Sequence, residues 1–148
     1  RTKPMNEATE FTGWAVAVLF CVTVVWPFVQ YRQATTDAEF LLRMRTHFSI
    51  GFAIAALSLV HAALAVSAPM PGATPYLGGI AIATVGLFLA FGQVALGLQL
   101  RRHPERYRSL LRVVHLTTMA VLAVTGILHL LLDGPMVRCL LHVAACPT

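Results

Sequence analysis

Four histidines carry the chemistry open to this sequence. His47 and His61 stand fourteen positions apart in the apolar run RTHFSIGFAIAALSLVHAALAV, and His115 and His129 stand fourteen apart in LRVVHLTTMAVLAVTGILHLLL. An α-helix turns about 100° and climbs about 1.5 Å per residue, so fourteen residues make nearly four turns and about 21 Å. Each pair therefore shares one face of its helix at two depths. Two such helices present two facing imidazole couples, one above the other. Imidazole is the commonest side-chain metal ligand. A structural zinc site takes four ligands converging at about 2 Å, and neither depth offers a carboxylate or thiol to complete such a set. Haem asks for only two axial ligands, because the macrocycle supplies four nitrogens. The spacing thus points to two non-covalently bound b-type haems, and no Cys-x-x-Cys-His signature for covalent attachment is present. A single histidine is more often a packing residue. Ionisable side chains inside a bilayer are rare and costly, so four at one repeated interval favour function.

The elements that position these residues are membrane-spanning helices. The 148-residue chain is 57% hydrophobic and 11% charged, where an ordinary soluble domain is about 25% charged. Such a chain lacks the polar surface for water, and a single transmembrane domain over residues 1–148 is expected. Its net charge of +5 does not point to nucleic acid: the arginines flank apolar runs, and no aromatic-basic stripe accompanies them. The first residue is Arg1 rather than Met, which leaves open residues ahead of it.

Residues 1–10 read as a polar tail or interfacial arm. The first span is expected over about 11–31, near the 20 residues that cross a hydrocarbon core of roughly 30 Å. Trp14, Trp26 and Tyr31 suit its interfacial ends, and Pro27 is expected to kink or end it. Thr36 and Glu39 form a capping-box pattern that opens a second helix over about 37–67. Residues 68–75 hold three prolines and a glycine and make an uncharged loop. A third helix follows over about 76–100, with Gly78, Gly79, Gly86, Gly92 and Gly97 permitting close approach. Gln93, polar in mid-span, can bond a helix neighbour, a cofactor or a quinone. The fourth helix is expected over about 104–132, with Pro104 in its first turn, and residues 133–148 form a tail with a short surface helix.

Charge sets the topology. Arg32, Arg43, Arg45, Arg101, Arg102, Arg106, Arg108 and Arg112 gather at one side, against Arg1, Lys3 and Arg138 at the other. Basic residues favour the cytoplasmic face, so both termini face outward, periplasmic in a bacterial inner membrane. The second and fourth helices then run parallel, level at His47 with His115 and at His61 with His129. Arg43, one turn before His47, and Arg112, three residues before His115, are candidates to pair with haem propionates; topology alone explains them equally well. Gly51 and Gly126 share the ligand faces and leave room for a ring. Ser58 and Thr118 lie near the ligands, though hydroxyls in helices mostly bond back to their own backbone. His103 and His142 do not fit the interval, Cys21 reads as packing, and Cys139 and Cys146 can form a disulfide on the outer side.

Histidine pairs with thirteen residues between them, on the second and fourth helices of four, resemble the di-haem core of the cytochrome b family. That family includes quinol–cytochrome c reductases and the membrane anchors of bacterial dehydrogenases; transmembrane ferric reductases follow a similar bis-histidine plan. The resemblance spans about residues 11–132. It implies an all-α, up-down four-helix bundle enclosing two b-type haems, with His47 and His115 on an inner haem and His61 and His129 on an outer one. The chain is smaller than a full quinol–cytochrome c reductase subunit and lacks its additional helices and quinone-site motifs. The expected role is transmembrane electron transfer, as a cytochrome b subunit or membrane anchor working with other redox subunits and exchanging electrons with quinone. No flavin motif, iron–sulfur cysteine cluster or catalytic residue is assigned. The alternatives are a self-contained ferric or quinone reductase, and a non-redox scaffold or transporter subunit whose histidines relay protons.

Overall fold

A computed structural model of the chain describes residues 3–33, 36–67, 77–102 and 105–133. They form four α-helices: α1 Lys3–Gln33, α2 Asp37–Ser67, α3 Leu77–Arg102 and α4 Glu105–Asp133. All four are long and apolar enough to cross a membrane, with mean hydropathy between 1.8 and 2.1. The proline-rich loop 68–75, His103, Pro104 and the tail with Cys139, His142 and Cys146 lie outside the described residues.

The bounds follow local chemistry. α2 begins where Thr36 accepts a hydrogen bond from the Glu39 backbone N–H at 3.2 Å, the first half of a capping box. α1 departs from the sequence reading at both ends. It starts at Lys3, so the polar arm continues the helix, and it runs through Pro27 to Gln33, two residues beyond the expected bound. Proline has no N–H, so the carbonyl four residues earlier, that of Thr23, loses its helical partner.

Consecutive helices pack as an up-down bundle: α1 lies along α2, α3 along α4, and α2 and α3 join the two hairpins. Among the described residues Ile54, Ala55 and Ala90 form the buried apolar centre, with Gln30 the buried polar residue. Ala55 and Ala90 are small, and small residues let helices in lipid approach closely, because packing rather than water exclusion drives their association. Large apolar residues such as Phe11 and Phe88 are more than 70% exposed, as befits a surface that meets acyl chains. The chain is an integral membrane four-helix bundle.

One end of the α1–α2 hairpin is tied by polar contacts. Arg43 pairs with Glu39 one turn earlier on α2. It also donates to the Gln30 and Gln33 side-chain oxygens of α1 at 3.3 and 3.2 Å. Trp26 Nε1 donates to the Arg43 carbonyl at 3.4 Å.

Candidate functional site

The structure brings the four histidines together two by two. His47 of α2 faces His115 of α4 with ring centroids 6.4 Å apart. His61 faces His129 at 6.2 Å. The earlier residue of α2 meets the earlier residue of α4, and the later meets the later, so these two helices run parallel. Their backbones do not pack as the consecutive helices do, so the rings meet across a gap.

These separations can be set against the geometries open to two imidazoles, of which an edge-to-face ring contact spans about 4.5–7 Å. An imidazole nitrogen bonds a metal at about 2 Å, and the ring centre lies about 1.1 Å further on. Two rings bonded to one metal from opposite sides therefore have centres about 6.3 Å apart, and at a tetrahedral angle about 5.1 Å. A direct N–H···N bond of about 2.9 Å also gives centres about 5 Å apart when in line. The observed 6.4 and 6.2 Å are longer than a direct N–H···N bond gives, and they suit either an edge-to-face ring contact or ligation from opposite sides. Among the described residues no group of three or more His, Cys, Asp or Glu is gathered as for a metal held by side chains alone.

At the His47–His115 level the rings line a cavity of about 610 Å³, open mouth included, walled by all four helices. Gly51 and Gly97 are on its wall. A Cβ at Gly51 would meet nothing within 4 Å. A Cβ at Gly97 would meet the Phe48 ring at 3.6 Å and His115 Cε1 at 4.0 Å. Phe48 in turn lies edge-on to His47 and beneath the Arg101 guanidinium, 6.0 Å away. The Nδ1 atoms of His47 and His115 are buried with no hydrogen-bond partner, as is the Oγ1 of Thr23.

At the other level α1 supplies the contacts. His61 Nδ1 donates to the Thr9 carbonyl at 2.9 Å, and Thr12 Oγ1 lies 3.2 Å from the same nitrogen. The Thr12 hydroxyl is itself within 2.9 Å of the Ala8 and Thr9 carbonyls. A carbonyl can only accept, so Nδ1 bears the proton and Nε2 keeps its lone pair for another partner. Gly13 sits against the same ring edge: a Cβ there would lie 3.1 Å from His61 Cε1.

The satellite residues divide. Gly51 borders the cavity, whereas Gly126 is exposed and a Cβ there would meet nothing within 4 Å. Arg43 has its guanidinium engaged in the α1–α2 tie, and Arg112 is exposed. Arg108, two turns before His115 on α4, has a buried Nε with no partner; seven-residue spacing was the signal that it shares the ligand face. Gln93 takes the helix-neighbour role, donating to the His115 carbonyl at 2.9 Å. Thr118 bonds back to the Val114 carbonyl at 2.8 Å. The histidine interval alone left out Thr9, Gly13 and Thr23. Their signal was available: Thr9 and Thr23 are also fourteen apart. No family model, curated protein or solved structure matches the chain.

Proposed function

We propose that the chain holds two b-type haems, one between His47 and His115 and one between His61 and His129, and carries single electrons across a membrane. The observation that supports this reading is the ring separation of 6.4 and 6.2 Å, the value for opposed ligation of one metal, repeated at two depths about 21 Å apart. When bound, haem iron supplies one-electron redox chemistry. The chain contributes two imidazoles per site, an apolar enclosure that limits water, and Gly51 and Gly126 as residues without bulk beside the ligands. Arg43 and Arg112 add positive charge at the His47–His115 end, where guanidinium suits a carboxylate.

By the distribution of arginines this end is the cytoplasmic one, and both termini lie on the periplasmic side of a bacterial inner membrane. With no residue assigned to bond-making chemistry, the chain serves as the cytochrome b subunit or anchor of a larger redox complex. Its partners are the other subunits, the lipid and a quinone pool.

The test is a visible spectrum of the detergent-purified protein with haem quantitation. A b-type reduced-minus-oxidised spectrum and two haems per chain are expected; a colourless protein that takes up no added haem would sink the proposal. The ring planes of the pairs cross at 69° and 82°, so a second outcome is specific. Both ferric centres should give the strongly anisotropic low-spin electron paramagnetic resonance signal of crossed axial rings. Two rhombic signals of the parallel-ring kind would contradict the pair geometry.

A further inference from the structure

We infer that α1, which carries no ligand, is the positioning helix for the ligands of α2: the Thr9 carbonyl holds the Nδ1–H of His61, and the Thr23 carbonyl, released by Pro27, takes that of His47. The consequence for redox chemistry rests on the haem reading; the ring orientation does not.

The outer contact is direct, at 2.9 Å. A helical carbonyl has two lone pairs, so Thr9 can serve both its own helix and the imidazole. Gly13 completes the seat, because any side chain there would press on His61 Cε1 from 3.1 Å. The inner contact follows from the register. α1 is antiparallel to α2, and Thr9 and Thr23 repeat the fourteen-residue interval of His61 and His47. Thr23 borders the same cavity as His47. Pro27 stands four residues later, where a helical N–H would otherwise claim the Thr23 carbonyl. His47 Nδ1 and Thr23 Oγ1 are both buried without partners, so the ring has a donor to place at the level of that carbonyl. Proline in mid-span thus leaves an acceptor where an imidazole needs one. Each contact keeps Nε2 deprotonated and aimed away from α1. A hydrogen-bonded imidazole is also a more basic ligand, which favours the oxidised metal.

Two measurements test this. The first uses haem-free protein in detergent, labelled with ¹⁵N-histidine, with signals assigned through His47→Gln and His61→Gln variants. Both imidazoles should be Nδ1–H tautomers; an Nε2–H tautomer at either would overturn the inference for that ligand, whether or not haem binds. The second uses the haem-loaded protein. Gly13→Ala should shift the potential and paramagnetic signal of the His61–His129 centre alone. Pro27→Ala should shift those of the His47–His115 centre alone, upward in potential, because a backbone N–H at position 27 then shares the Thr23 carbonyl and weakens its bond to the imidazole. Unchanged centres in both variants, or equal shifts at both centres in each, would refute positioning by α1. A wild-type protein that binds no haem would instead refute the haem reading and leave the tautomer result standing.

Discussion

Replacing His47 with Ala is expected to cut the haem content from two per chain to one. The pairs are separate in space: His47 meets His115, and His61 meets His129, about 21 Å along the helices. Removing one imidazole takes one of only two axial protein bonds from a site while leaving the other pair intact. The remaining centre should keep its potential and paramagnetic signal, and His129→Ala should remove the complementary one. The two variants together assign each spectral component to a depth. Retention of two fully low-spin haems in His47→Ala would mean that His47 is not a ligand.

Gly51→Phe should have an effect of similar size with every histidine in place. Gly51 lies one turn beyond His47 on the cavity wall, and a Cβ there would enter open space. The first atom of the new side chain therefore meets no clash with the polypeptide itself. An aromatic side chain carries about 150–250 Å² of surface to bury, and it would occupy the volume between the rings. Loss of the His47–His115 haem with the other retained is the expected result of haem quantitation and spectroscopy, while Gly51→Ala should keep both. Two haems in Gly51→Phe would place the macrocycle elsewhere.

The sequence disclosed most of what is repeated and local. Four apolar runs of spanning length announced four helices, and the Thr36–Glu39 cap fixed the start of α2 at Asp37, because capping depends only on neighbours in the chain. The pairing of His47 with His115 was legible because the second and fourth of four consecutive spans run in the same direction. Less legible was whatever depends on the rotation of one helix against another. Apolar content and polar flanks suggested that α1 begins near residue 11, yet residues 3–10 continue the helix, since no strong stop signal follows Lys3. Pro27 suggested a kink or an end, and the helix runs on to Gln33, since a bilayer helix can absorb the lost hydrogen bond when neighbours supply other partners. Arg43 was legible as a cation near His47, for propionates or for topology; its ties to Gln30 and Gln33 arise from how the far end of α1 lies beside α2, which spacing within α2 does not encode.

The bundle is two hairpins, α1–α2 and α3–α4, and each facing pair takes one imidazole from each hairpin. A pigment clasped by such a pair is a stitch between halves that lipid alone does little to hold together, since acyl chains solvate apolar helices as well as other helices do. Ligand binding of this kind is folding free energy. If the proposed haems are the ligand, maturation of the protein and delivery of its cofactor become one event, and cells starved of iron-porphyrin should contain less of the protein, because unstitched hairpins stay open to proteases.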